Sequence, residues 1–288
     1  MELFLKTQYW DDPEAASAFK VFAYKIHGLD FTEWESRGFW DSAYTPFSLF
    51  HGNTVVASVC IYSLDAIVDG VRTKIAQISG VGTLQQWRRK GLNRRLTSIG
   101  LEWAEVKKHD GVFLFSDTDA IPFYEKCGFK AITEFVETTP APRQPKCSGV
   151  KLLNPDCIQD LEKIYRYATN RAPLSEKFSV LNAKLFMFHV LYGLRDCVFE
   201  VPDLECLVLF RRDKGILNIF DVVGTQIPRF NDLYPYVADE TDRFVEFHFF
   251  ADKMGIKNSS LKQLDGNNPF VVSGFPIDQP VFPYTSRA

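Results

Sequence analysis

The 288-residue sequence has almost no charge imbalance, no long apolar run, no paired-cysteine spacing and no standard nucleotide loop. Lysine and arginine number 33 against 36 aspartates and glutamates, a formal charge of −3, so whole-chain electrostatics would not hold the protein on nucleic acid or on an anionic membrane. Any anion site must be local. The opening residues MELFLKTQYWDDPEAA lack a basic segment followed by an apolar one, and no later run approaches the ~20 apolar residues of a membrane span, so the chain reads as cytoplasmic. Six cysteines contain no Cys-x-x-Cys pair and five histidines show no metal spacing, so reduced buried thiols are expected, and no metal site. Neither GxxxxGK[ST] nor GxGxxG is present, which excludes a Walker loop and a dinucleotide fingerprint.

Phenylalanine, by contrast, is abundant. Its 26 copies help bring aromatics to 15%, which implies thick cores or apolar grooves rather than a particular chemistry. The length suits two modest domains or one large one. Pro140, Pro142 and Pro145 preclude helix interior and central strand, so residues 138–145 are expected to be an extended linker, with units at 1–139 and 146–288.

Before that seam, residues 13–25 carry apolar side chains at helical spacing (Ala16, Phe19, Phe22, Ala23, Ile26), with Asp11 or Asp12 as N-cap. A second helix is expected near 31–37. Residues 47–50 and 54–64 alternate around His51-Gly52-Asn53 as a hairpin would, and 74–84 reads as the next strand. A helix at 91–107, a strand at 112–116 and a short helix at 119–126 follow. This order predicts an α/β architecture with a mixed sheet, in which the strands around Val81 and Leu114 are parallel neighbours joined by a right-handed crossover. The second half repeats the flavour, with helices at 156–168 and 182–192 and strands at 197–200, 204–211, 216–223 and 244–250. Val223-Gly224-Thr225 also echoes Val81-Gly82-Thr83, which together suggests an internal duplication.

The sharpest local feature is a strand ending in Val81-Gly82-Thr83, then the basic turn Arg88-Arg89-Lys90-Gly91-Leu92-Asn93 leading into a helix. Unpaired N–H groups and the positive end of the dipole make a helix start an anion site, and Gly91 permits close backbone approach. Residues 85–108 hold seven cations against two carboxylates. A run such as this is more often a solvated loop, but its place between strand and helix favours a phosphate.

Arg-x-x-Gly-x-small after a Val-Gly-Thr strand end resembles the pyrophosphate loop of the GNAT superfamily of N-acetyltransferases, with Asn93 in place of the family's final Gly or Ala. Residues 120–129, Ala-Ile-Pro-Phe-Tyr-Glu-Lys-Cys-Gly-Phe, are similar to the family's Ala-x-x-x-Tyr-x-Lys-x-Gly-Phe segment. The resemblance covers roughly residues 1–137. It implies an acyl-CoA N-acyltransferase fold, probably as a tandem, with acetyl-CoA as cosubstrate and no metal. In that frame Val81, Gly82 and Thr83 face the pantetheine arm and thioester, Arg88, Arg89, Lys90, Gly91, Leu92 and Asn93 cradle the pyrophosphate, and Tyr124 protonates the departing thiolate. The family places its acceptor cleft near the cluster Phe31, Trp34, Phe39, Trp40. No general base is evident; Glu33, Asp41, His51, Asp117 or water are the choices.

Beyond the linker neither motif recurs. Gln226-Ile227-Pro228-Arg229-Phe230 lacks the glycine and Met254-Gly255-Ile256 the tyrosine, so the half reads as a degenerate copy. The expected activity is acetyl transfer to a primary amine of a small molecule or peptide by direct attack in a ternary complex, with no nucleic-acid or membrane partner. Three alternatives stand beside it: a non-enzymatic acyl-CoA sensor, a tandem aminoacyltransferase using charged tRNA, and a thiol-ligation enzyme similar to mycothiol synthase. The acceptor and the oligomeric state are not written in the sequence.

Overall fold

In the computed structural model, which describes residues 2–288, Asp12 starts the first helix: its Oδ1 accepts the Ala15 N–H at 3.1 Å. Pro13 takes the first helical position, where a missing N–H costs nothing. A short strand, β1 (Phe4–Thr7), precedes this helix, α1 (Pro13–His27), and α2 (Thr32–Ser36) follows it. Then come the antiparallel strands β2 (Tyr44–His51), β3 (Thr54–Val68) and β4 (Val71–Thr83), the first two joined by a tight turn at Gly52-Asn53. The helix α3 (Leu92–Val106), the strand β5 (Gly111–Phe115) and the helix α4 (Ile121–Lys126) complete the unit read from the sequence. Next are β6 (Lys130–Ala131), β7 (Glu134–Pro140), β8 (Lys151–Leu152), α5 (Ile158–Thr169), β9 (Phe178–Val180) and α6 (Ala183–Tyr192). The chain ends through β10 (Val198–Val201), β11 (Cys206–Asp213), β12 (Ile216–Gly224), α7 (Phe230–Val237), β13 (Phe244–Phe247), β14 (Ser260–Leu264) and β15 (Pro269–Val271).

Two mixed sheets result. One runs β1-β2-β3-β4-β5-β15-β6, with β9 added to β3; the other runs β14-β7-β13-β12-β11-β10-β8. Each contains one parallel pair of four residues, Ile75–Ile78 beside Gly111–Leu114 in the first and Ile216–Ile219 beside Phe244–Phe247 in the second. The strand flanking each pair comes from across the mid-chain seam: β15 lies against β5, and β7 lies against β13. Each proposed half therefore takes one strand from the other.

This exchange corrects the expected linker. Residues 138–140 are not an extended tether but the end of an interior strand of the second sheet, between β13 and β14. The segment 134–140 is rich in β-branched and aromatic side chains, and its proline sits at the last paired position, Pro140 opposite Phe244, where the ladder stops. Only residues 141–150 lack regular structure.

The phenylalanines account for the seam. Phe113 of β5 stacks on Phe282 at 4.7 Å between ring centres, and Phe282 in turn meets Phe115 and Phe178. One continuous apolar core runs through Phe19, Ile61, Phe113, Ile164, Phe186 and Phe270, residues drawn from both halves. A smaller core around Leu217, Leu233 and Phe247 fills the far side of the second sheet. Among the cysteines, Cys60, Cys197 and Cys206 are buried as expected, whereas Cys147 is exposed; all six are free.

Candidate functional site

The strand β4 is paired with β5 only as far as Ile78 opposite Leu114, and no strand takes that side of Ser79 to Thr83. On the other side its register with β3 breaks between Ser58 and Cys60, opposite Gly80. Gly80 has φ +53°, and a Cβ there would fall 3.0 Å from the Tyr44 hydroxyl. Glycine is required on both counts, left-handed backbone and close packing. Gly82 is fixed differently: a Cβ would lie 2.7 Å from Ile26 Cγ2, so the end of α1 packs directly on this backbone. The result is a parallel pair that splays open just after Ile78, leaving the backbone of Val81 and Thr83 free of a strand partner on the β5 side.

The basic turn closes one end of that gap. Arg89 (φ +62°) and Gly91 (φ +73°) both adopt left-handed backbone, and α3 begins at Leu92 with no side-chain cap on its N-terminus. The first helical N–H groups have no intrahelical partner, so they and the dipole face the turn. Thr83 Oγ1 donates to Asn93 Oδ1 at 2.9 Å, and Arg88 Nε donates to the Thr83 carbonyl at 3.2 Å. These contacts tie strand end to helix start. Asn93, the departure from the family pattern, thus has a structural use at that position. Lys90 sits 4.5 Å over the Trp87 ring.

On the other end, a cavity of about 270 Å³ opens at Ser79 and Gly80. Phe31, Trp34, Tyr44 and Tyr62 wall it from the first half, and Leu185 and Phe188 of α6 from the second. His27 and Leu29 lie at the end of α1, and Ala288 completes the lining. Gln77 holds Ala288 in place twice, donating to its backbone carbonyl at 2.9 Å and accepting its N–H at 2.8 Å. The hydroxyls of Tyr62 and Ser79 are buried without a hydrogen-bond partner.

The aromatic cluster read from the sequence divides here. Phe31 and Trp34 line the cavity, while Phe39 packs on Tyr165 at 5.0 Å and Trp40 on Phe19 at 5.9 Å. Four of the five remaining lining side chains that matter most were missed, namely His27, Tyr44, Tyr62 and Phe188. Their only sequence signal was apolar or aromatic character in ordinary elements.

Tyr124 is 6% exposed, its ring against Phe123, Phe129 and Phe270. Burial pushes its phenol well above the ordinary value, and the Asp117 carboxylate adds to that. None of Glu33, Asp41, His51 or Asp117 lines the cavity. Glu33 is bound by Arg195 at 2.7 Å, Asp41 by Lys184 at 2.9 Å, and His51 stacks against Trp87 at 5.1 Å. Burial pulls the His27 imidazole below its ordinary value, with the Gly80 backbone and Asp117 acting in the opposite direction.

The corresponding splay in the second sheet is filled by the chain itself. Asp221 of β12 forms a buried pair with Arg171 at 2.6 Å and accepts the Thr285 hydroxyl. Tyr284 stacks on Phe220 at 4.7 Å and donates its N–H to the His248 carbonyl at 3.1 Å.

Residues 7–129 match the sequence model of the Acetyltransferase (GNAT) family. No curated protein matches the chain. Among solved structures it is similar to a probable N-acyltransferase from Enterococcus faecalis, at 14% identity over 94% of this chain and 72% of that one, TM-score 0.55. It is also similar to Eis1 from Mycobacterium abscessus (15% identity, 94% and 73% covered, TM-score 0.56). A GCN5-related N-acetyltransferase from Kribbella flavida gives 15% identity, 94% and 70% covered, and TM-score 0.53. At such identities the likeness is one of fold. The family match supports acyl transfer in general. The splayed pair, the glycine turn and the sequence match converge, and the chain carries a GNAT-family acetyltransferase domain at residues 7–129 within an acyl-CoA N-acyltransferase fold of two similar halves.

Proposed function

We propose that the protein is an acetyl-CoA dependent N-acetyltransferase that moves an acetyl group to a primary amine by direct attack in a ternary complex. The observation that carries this reading is the gap beside Ser79 to Thr83, with an uncapped helix start at one end and a closed-walled cavity at the other. An acyl-CoA needs both: an anion cradle for its pyrophosphate and an unpaired strand edge for its amide-bearing arm. Arg88, Arg89, Lys90, Gly91, Leu92 and Asn93 supply the first, with open space in front of Gly91. The backbone at Val81, Gly82 and Thr83 supplies the second, and an N–H in this stretch holds the oxyanion.

Two groups move protons. The neutral amine nitrogen forms a bond to the thioester carbon, the carbon–sulfur bond breaks, the surplus proton on nitrogen passes to His27, and the thiolate takes a proton from Tyr124. Both groups are in the required state at neutral pH, since burial keeps the imidazole unprotonated and the phenol protonated. His27 replaces the carboxylates considered from sequence because it alone of the titratable bases lies in the cavity wall.

The test is a panel of amines incubated with acetyl-CoA, following free thiol release and the acetylated product by mass. Thiol release dependent on an amine supports transfer. Tight CoA binding without release from any amine would favour a non-enzymatic sensor.

A further inference from the structure

We infer that the acceptor is a compact monoamine on an apolar, aromatic or branched body, held in the cavity between the first-half aromatics and α6. This rests on the acetyltransferase reading and names its substrate class. At about 270 Å³ the cavity sits at the low end of small-molecule sites, which run from about 300 to 1,000 Å³. It admits one small molecule.

Its chemistry is narrower than its size. Phe31, Trp34, Tyr44 and Phe188 form a nearly continuous aromatic wall, with Trp34 and Phe188 edge to face at 5.5 Å. No carboxylate lines it, and the nearby Glu33 and Asp41 are already paired with Arg195 and Lys184. A second or third ammonium on a polyamine or an aminosugar would enter without a counter-charge, and an unpaired buried charge is strongly disfavoured. A peptide brings amide groups that need hydrogen-bond partners. The lining hydroxyls left unpartnered are those of Tyr62 and Ser79, enough for one amine and little more. Ser79 sits where β4 leaves β5, so an amine anchored there lies next to the thioester position. Aromatic faces suit an amine that arrives protonated and gives up its proton to His27.

The second half is part of this specificity. Leu185 and Phe188 belong to α6, and Trp34 Nε1 donates to the Lys184 carbonyl at 2.9 Å, which fixes the helix against the first-half wall.

The experiment uses the full chain and three acceptors: 2-phenylethylamine, spermidine and a phenylalanine-initiated tripeptide. Initial rates of thiol release should give a kcat/KM about 100-fold higher for 2-phenylethylamine than for spermidine, the range an apolar pocket achieves against an uncompensated charge. Leu29→Glu, at a rim position that is 37% exposed, should narrow that ratio by adding a carboxylate. Calorimetric titration of 2-phenylethylamine needs no turnover, and Phe188→Ala, checked for an intact melting transition, should weaken it about tenfold. Preference for spermidine or the tripeptide, or 2-phenylethylamine binding indifferent to Phe188→Ala, overturns the pocket assignment. If instead 2-phenylethylamine binds and responds to Phe188→Ala while no amine releases thiol, the acetyltransferase reading fails and the pocket assignment stands.

Discussion

Replacing Arg287 with Met tests whether the exchanged segments are what hold the acceptor cavity together. Arg287 pairs with Glu134 of β7; the carboxylate is fully buried and the guanidinium only 16% exposed, lying 4.8 Å over the Phe115 ring. The carboxyl is already raised by burial, with Arg287 opposing the shift. Once the guanidinium is gone, Glu134 keeps one side-chain partner, Asn267 Nδ2 at 2.8 Å. Stranding a buried charge in this way costs about 3 to 5 kcal/mol, which for a chain of this size lowers the melting temperature by roughly 6 to 10 °C. The double variant Glu134→Gln/Arg287→Met removes the stranded charge and should recover most of the loss. The effect also has a pH signature. In Arg287→Met the Glu134 pKa rises further, so the folded state binds a proton that the unfolded state does not, and the deficit relative to wild type shrinks from pH 7 to pH 5. Thermal and denaturant melts at both pH values read all of this. A single variant within about 1 kcal/mol of wild type at pH 7, or a double variant as unstable as the single, would refute the reasoning.

Gly91→Val should weaken CoA binding, not by filling space, which is open there, but because φ +73° strains a β-branched residue and reshapes the turn; unchanged calorimetric affinity would remove the loop from the site. Tyr124→Phe should keep CoA affinity and lower kcat by roughly 10- to 1,000-fold, with full activity on a confirmed acceptor leaving the tyrosine as packing. His27→Gln should lower kcat and flatten the acidic limb of the kcat/KM profile below about pH 6.5, the ordinary histidine value; an unaltered profile would assign the proton elsewhere. His189 and His248 are both buried with pKa pulled down to about 4, so they stay neutral in the fold and protonate in the unfolded chain. Stability should therefore fall as pH drops from about 6.5 towards 4, by up to about 1.4 kcal/mol per pH unit for each, and flat urea midpoints across that window would contradict it.

The elements of the first sheet were legible because they rest on local chemistry. Asp12-Pro13 starts a helix, Gly52-Asn53 turns a hairpin, and a basic turn with one glycine precedes a helix, each within a few residues. The parallel pairing of β4 with β5 followed from element order and crossover handedness. The glycine loop and the tyrosine segment could be found because both are contiguous motifs. The strand exchange could not. Whether residues 134–140 pair within their own half or across the seam is a choice between ladders with the same local pattern, and prolines nearby argued for a tether. Burial of Phe113, Phe270 and Phe282 in one shared core settles it, at sequence separations no local rule reaches. The cavity is likewise a product of tertiary structure alone. His27 at a helix end, Tyr62 in a strand, Phe188 on a second-half helix and Ala288 carry no common spacing, and they meet only because α1, β3, α6 and the final residues converge on the bend at Gly80. Sequence by itself determined the cofactor-side motifs, which are written in consecutive residues; the fold decided the acceptor side, whose walls are apolar residues indistinguishable in sequence from any other core.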